Sequence, residues 1–206
     1  MEVLAECNHP LVIVTKNYLV TRDTDHLSKL AKIGAVKVAI SITSLEESLI
    51  HKMEPRTSRP KKRLKAVREL SQAGIPVHIN IAPVIPGLTD GEIVPILEAA
   101  AEAGAESVSY TILRLPYGVK DLFIKWLEDH APNRKSKVIN KIKSVKDGHL
   151  NRSEFGKRFK GEGTYAEQIK DVMKIHAKRL GLNKTFQKIN RSSFKRPQYG
   201  QLNIFN

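Results

Sequence analysis

The sequence predicts an α/β protein: part of an open (β/α) barrel with about four parallel strands, followed by a helical, basic C-terminal extension. Three observations carry this. Runs of β-type residues starting near positions 11, 36, 76 and 107 alternate with runs of helical periodicity, the pattern of a parallel sheet with right-handed crossovers. The joins AKIGAVKVAISI, SQAGIPVHINIA and AEAGAESVSYTI each show a helix end, a glycine stop and an alternating strand, so the chain repeats one β/α unit. Polar residues also recur on one face of three strands: Ser41 and Thr43, His78 and Asn80, Ser109 and Thr111. A doubly wound sheet buries both faces under helices and wants apolar strands throughout, whereas a barrel turns one face to a lumen. The alternation favours a barrel, or part of one. Four strands cannot close a barrel of about eight, so either the barrel is open or its beginning is missing.

In chain order, Pro10 to Thr15 (PLVIVT) suits a buried strand, and His26 to Ile33 has helical spacing at Leu27, Leu30 and Ala31. Val36 to Ser44 places Val36, Val38, Ile40 and Ile42 on one face. A long connection from Leu45 to Arg59 carries EPRTSRP, and Pro60 opens a helix where its missing N–H is harmless. The third strand sets Val77, Ile79 and Ile81 against His78, Asn80 and Ala82; Pro83, Pro86 and Gly87 are expected to end its ladder. Asp90 is placed to cap the next helix, lined by Ile93, Ile96, Leu97, Ala100 and Ala101 and stopped at Gly104. Glu106 to Leu113 reads as the fourth strand. From Asp121 the pattern is helical without further strands, which divides the chain into a barrel portion at 1–120, a helical region at 121–183 and an irregular tail at 184–206.

The 206 residues suffice for one domain with a core and an appendage, and the 41% hydrophobic content fits a globular protein. No window approaches the ~18 consecutive apolar residues of a membrane span, and MEVLAECNHP lacks the layout of a signal peptide; a cytoplasmic protein is expected. The net charge of +14 is uneven: residues 1–100 hold 13 basic against 11 acidic side chains, and residues 101–206 hold 22 against 10. Such asymmetry suits a polyanionic partner. In NRSEFGKRFKGEGTY, Phe155, Phe159 and Tyr165 lie among Lys157, Arg158 and Lys160, as on a surface that stacks bases and pairs phosphates; a helical cap with its aromatics packed on the barrel is the plainer alternative. The single cysteine, Cys7, excludes an internal disulfide and a multi-cysteine metal site built from this chain alone.

No P-loop, HExxH or Ser/His/Asp layout is present, so hydrolase readings have no support. In β/α barrels ligands bind at the C-terminal edge of the strands. Ser41 and Thr43 sit at such an edge, Asn80, Ala82 and Pro83 occupy the next, and Arg56, Arg59 and Arg63 follow closely enough to hold an anion by paired N–H donors.

The run ISITSLEESLIHKMEPRTSRPKKRLKAVRELSQAGIPVHINIAPVIPGLTD, with RLP at Arg114 to Pro116 and FGKRFKGEGTYAE at Phe155 to Glu167, resembles radical S-adenosylmethionine (SAM) enzymes, most closely the spore-photoproduct-lyase-like branch labelled DNA repair photolyase. The resemblance implies an open six-stranded β/α barrel whose last four strands are the four runs above. It also implies S-adenosylmethionine and a 4Fe–4S cluster as cofactors, the source of a 5′-deoxyadenosyl radical. By position, Ser41 and Thr43 match the strand end that contacts the ribose and methionine part of S-adenosylmethionine, Arg63 is a candidate for its carboxylate, and Asn80, Ala82 and Pro83 match the edge near the adenine. The family's CxxxCxxC loop is absent, leaving only Cys7. The chain is therefore expected to be the C-terminal portion of a radical SAM enzyme, acting on nucleic acid in a DNA-repair-like role, that does not hold the cluster by itself.

The last residues carry a separate lead. Gln201, Leu202, Ile204 and Phe205 in QLNIF resemble the QLxLF peptide by which bacterial repair and replication proteins dock on the sliding clamp, an extended peptide burying Leu202 and Phe205. The competing expectation is a cluster-less module that binds nucleic acid or the clamp through its basic half and tail.

Overall fold

All four alternating runs are strands. The computed structural model describes residues 1–152, 159–184 and 188–196. In it β1 (Leu11–Thr15), β2 (Val36–Ser41), β3 (Val77–Val84) and β4 (Ser107–Ile112) form one open parallel sheet in the order β1-β2-β3-β4. The helices are α1 (Glu2–Glu6), α2 (Thr24–Lys32), α3 (Glu47–Met53), α4 (Pro60–Gln72), α5 (Ile93–Glu102), α6 (Val119–His130), α7 (Lys135–Ser144) and α8 (Thr164–Arg179). None is long and apolar enough to cross a membrane among the described residues.

The three repeated joins are the same object. Gly34, Gly74 and Gly104 all take positive φ, and the N–H after each donates five residues back: Ala35 to the Leu30 carbonyl, Ile75 to Leu70 and Ala105 to Ala100. This is the bond pattern of a helix stopped by a left-handed glycine. It turns the chain from helix into strand within two residues, so α2, α4 and α5 all lie on one side of the sheet.

The face they cover is aliphatic. Val36, Val38, Ile40, Ile42, Val77, Ile79 and Ile81 pack against Leu27 and Leu30 of α2, Val67 and Leu70 of α4, Ile96 and Leu97 of α5 and Ile169 and Met173 of α8. Full burial of each large aliphatic side chain contributes roughly 1.5–3 kcal/mol, so this layer drives sheet formation. A second apolar cluster lies past the strand ends, where Ile85 and Leu88 from the exit of β3 and Leu113 and Leu115 from the exit of β4 meet Leu49 of α3, Leu127 of α6 and Val138 and Ile142 of α7. Phe123 and Trp126 pack on its flank with their rings stacked at 6.1 Å. The aromatics of α6 therefore serve as a helical cap.

Three expectations are corrected. The connection from Leu45 to Arg59 contains α3, whose Leu49, Ile50 and Met53 form one short apolar stripe that buries Leu49 and Ile50. Pro83 does not end its strand: β3 runs to Val84 through a cis Ala82–Pro83 bond, and the ladder with β4 shifts register between Ile81 and Val84, an irregularity where proline is tolerated. Asp90 does not cap α5. Its carboxylate accepts the N–H of Gly87 and of Gly91, a 3-10 turn at Asp90–Glu92 intervenes, and α5 begins at Ile93.

Candidate functional site at the strand ends

The C-terminal edges of β1 and β2 carry a tightly bonded polar cluster. Lys16 follows the last residue of β1, Thr43 lies just past β2, Glu54 ends α3 and Arg63 sits in the first turn of α4. Lys16 Nζ donates to Thr43 Oγ1 at 3.0 Å and pairs with the Glu54 carboxylate. The Thr43 hydroxyl lies 2.8 Å from Glu54 Oε1 and 2.9 Å from the Ala82 carbonyl oxygen of β3. The buried Arg63 guanidinium donates to Glu54 Oε2 at 2.6 Å, Thr57 Oγ1 at 2.6 Å, the Ser41 carbonyl at 2.9 Å and the Ser58 carbonyl at 2.7 Å. Burial raises the Glu54 pKa, but the bonds from Lys16, Arg63 and Thr43 outweigh it and leave that pKa below its ordinary value. Glu54 is thus a fixed anion between two cations.

Three predicted residues, Thr43, Arg63 and Ala82, are brought together here. Ser41 contributes its carbonyl to Arg63 and is almost wholly buried. The three arginines do not converge as an anion clamp: Arg59 donates to the Glu47 carbonyl and to His51 of α3, Arg56 is exposed, and Arg63 is committed beneath. Sequence reasoning does not single out Lys16 or Glu54. Their signal is position, Lys16 as the first residue past a strand and Glu54 as the head of EPRTSRP, yet only the fold shows that they meet.

The lumen face continues as a polar ladder. Register places Ala39 beside His78 and Ser41 beside Asn80, then His78 beside Ser107 and Asn80 beside Ser109. His78 Nδ1 lies 2.9 Å from Ser107 Oγ, and its Nε2 lies 2.7 Å from Ser109 Oγ, which also reaches Asn80 Oδ1 at 3.4 Å. Burial, with help from the Lys37 ammonium, lowers the His78 pKa to about 4. The imidazole is neutral at pH 7, a rigid hydrogen-bonding group rather than a cation. Asn80, Ala82 and Pro83 remain partly exposed along the β3 edge, where a ligand can reach them.

On the far side, two segments well separated in sequence dock on each other. The Tyr165 hydroxyl of α8 donates to the Asp90 carboxylate, and Lys141 Nζ lies 3.5 Å from the centre of the Tyr165 ring. Burial and the Asp90 carboxylate both push the Tyr165 pKa up. The GEGTYAE and GLTD segments are therefore one structural unit. Of the basic residues flagged for nucleic acid, Lys160 is exposed and rims an open trough of about 330 Å³ with Lys170 and Lys174, floored by Val108, Tyr110, Met173 and Ala177. Lys157, Arg158 and the clamp-like Gln201, Leu202, Ile204 and Phe205 lie outside the described residues.

Comparison with known proteins fits this geometry. The family model described as Radical SAM superfamily matches residues 1–100. Over those residues the chain is similar to the radical SAM superfamily. Its fold resembles that of a spore photoproduct lyase variant at TM-score 0.58 and 18% identity, and that of another variant solved with bound AdoMet and dinucleoside spore photoproduct at TM-score 0.60 and 19% identity. In both cases 87% of this chain and 52% of the other are covered. An uncharacterized protein of Mycobacterium tuberculosis is 34% identical over 131 residues, covering 63% of this chain and 38% of that protein. One of Methanocaldococcus jannaschii is 36% identical over 84 residues, 41% of this chain and 31% of the other. The chain thus spans well under two thirds of the length of these relatives.

The radical SAM family implies two groups, and the residues present treat them differently. A 4Fe–4S cluster needs several thiolates; the sequence has one cysteine, Cys7, which is buried at the end of α1, and no set of three potential metal ligands occurs among the described residues. The cluster does not fit this chain alone. S-adenosylmethionine does fit the donor set: the partly exposed Lys16 ammonium suits a carboxylate, and Asn80, Ala82 and Pro83, partly exposed at the end of β3, offer an amide and two small apolar side chains to a flat ring.

Proposed function

We propose that this chain forms the S-adenosylmethionine-binding wall and the nucleic-acid-facing half of a radical SAM enzyme of DNA-repair type, the cluster thiolates being supplied by polypeptide other than this chain. The observation that carries the reading is the Lys16, Thr43, Glu54 and Arg63 cluster, set at the C-terminal strand edge beside the end of β3 in a chain whose residues 1–100 match the radical SAM family model. Lys16 would meet the carboxylate of S-adenosylmethionine. Thr43, bonded to the Ala82 carbonyl, would set the spacing between that cation and the end of β3. Arg63 acts from beneath, its guanidinium fixing Glu54 and so the direction of Lys16. Asn80, Ala82 and Pro83 would face the adenine, and His78, kept neutral, holds the ladder under it without adding charge. S-adenosylmethionine bound with a reduced cluster supplies radical chemistry in this superfamily; the residues of this chain would bind and orient it.

Calorimetric titration with S-adenosylmethionine and S-adenosylhomocysteine tests this. Binding weakened at least tenfold by Lys16→Met, with an unchanged melting temperature, supports it. Equal binding by wild type and variant, or no binding by either when a polypeptide carrying CxxxCxxC is co-expressed, overturns it.

A second reading is favoured by the charge asymmetry: the basic half and the QLNIF tail would make the chain a nucleic-acid or sliding-clamp adaptor, working in the cytoplasm. Removing residues 201–206 should abolish co-elution with a bacterial clamp while leaving nucleotide binding intact; retained co-elution sinks it.

A further inference from the structure

The loop that leaves β4 presents chemistry that cofactor binding does not use. Leu115 is buried in the second core and its N–H donates to Asn151 Oδ1 at 3.2 Å, which anchors the loop to the segment after α7. Two residues later, Tyr117 adopts φ +48 and its side chain stands 97% exposed. A non-glycine residue rarely takes the left-handed region unless its surroundings hold it there, here the turn in which the Val119 N–H donates to the Pro116 carbonyl at 3.1 Å. The consequence is an aromatic ring displayed in water at the strand edge where barrel ligands bind.

The same loop begins with a cation. Arg114 lies with its guanidinium carbon 4.9 Å from the Phe159 ring centre, and its Nε is buried with no acceptor among the described residues. Arg114 and Arg152 both lie close enough to the buried Lys146 ammonium to act on it electrostatically. The acidic groups facing them are Glu162, 2.6 Å from Arg152, and Asp147, 3.7 Å from it; neither pairs with Arg114. The Nε is sealed from water, but Arg114 as a whole is partly exposed, so the remainder of its guanidinium can meet an anion arriving at this edge. An exposed ring three residues along the loop from such a cation fits a nucleotide, whose phosphate and base offer both halves of the contact. An acidic peptide offers only one.

We infer that the loop Arg114–Gly118 is a nucleic-acid contact in which Arg114 receives a backbone phosphate and Tyr117 stacks on the neighbouring unpaired base. It rests on the nucleic-acid part of the function proposed above and gives that part a location. The site reads a single strand or an extruded nucleotide, since a base inside a duplex has no free face for the ring.

Fluorescence anisotropy of a labelled single-stranded oligothymidylate with the full chain is the test, with inorganic polyphosphate and polyglutamate as competitors. Tyr117→Ala should weaken oligothymidylate binding roughly tenfold, leave polyphosphate binding unchanged, and be rescued by Tyr117→Trp. Arg114→Gln should weaken both and lower the slope of log affinity against log salt by about 0.7. Because Tyr117 makes no buried contact, its variant should melt with wild type. Unchanged oligothymidylate affinity in both variants overturns the inference and leaves the S-adenosylmethionine wall standing. Absence of oligonucleotide binding by wild type overturns the inference together with the nucleic-acid part of the proposal. Competition by polyglutamate equal to that by oligothymidylate overturns it in favour of an acidic protein partner.

Discussion

Glu54 is a carboxylate set between the Lys16 ammonium and the Arg63 guanidinium, and Arg63 is fully buried. Removing the anion leaves an uncompensated buried cation, so Glu54→Gln should destabilise the fold by about 3 kcal/mol, read as a lower urea midpoint with an unchanged slope. Replacing Arg63 with methionine as well should recover part of that loss. Two residues govern the acid limb of stability. The His78 pKa falls from 6.5 to about 4 on folding, so between those values the unfolded chain takes a proton that the folded chain refuses. Stability is full above pH 6.5 and declines as pH falls towards 4. Glu54 adds a second decline lower down: its pKa lies below 4.5 in the fold, so its contribution is present above 4.5 and is lost as pH falls through the folded value. Melting temperatures of His78→Asn across this range should show a flatter profile than wild type between pH 6.5 and 4. A profile parallel to wild type would show that His78 is not the group responsible.

At the scale of elements, the segment after α7 is held to the sheet by one glycine-dependent crossing. Gly161 has φ +73, and a Cβ there would meet Ile112 Cδ1 at 3.0 Å and the Val145 carbonyl at 3.1 Å. The same stretch pairs with β4 and α7, through the Ile112 N–H to the Phe159 carbonyl at 2.9 Å and the Glu162 N–H to the Val145 carbonyl at 3.0 Å. Gly161→Ala should therefore cost roughly 1–3 kcal/mol, whereas alanine at Gly148, which also has positive φ but has nothing within 4 Å, should cost less. Thermal melts of the pair separate packing from backbone strain. The elements themselves were legible where one local pattern sufficed: glycine after an apolar helix face, then alternation, located α2, α4 and α5 and the strands after them. Helix α3 was not, because its seven residues carry only three apolar positions and the EPRTSRP run after it reads as connection. The course of β3 through Pro83 was not either, since the irregularity depends on what β4 offers alongside.

For the whole molecule, the sheet ends abruptly at β1. Val12 and Val14 are 48% and 64% exposed on the lumen face, and among the described residues no strand pairs with the outer edge of β1. An open edge with exposed valines is a template for association. Val14→Lys should lower the concentration-dependent mass seen by light scattering while leaving the melting temperature within about 1 kcal/mol of wild type in stability terms; an unchanged mass would place self-association elsewhere. The sequence alone determined the repeated β/α unit, the parallel sheet, the two-faced strands, the basic second half and the insufficiency of one cysteine for a cluster, because periodicity, glycine stops and residue counts are properties of the chain read locally. Only the tertiary structure decided that Lys16 and Glu54 join Thr43, that Arg63 is spent beneath the site instead of facing it, that Tyr165 docks on Asp90, and that Tyr117 stands in water. Each of these is a meeting of residues set by strand register and by which helix face the core claims, and no local pattern encodes such a meeting.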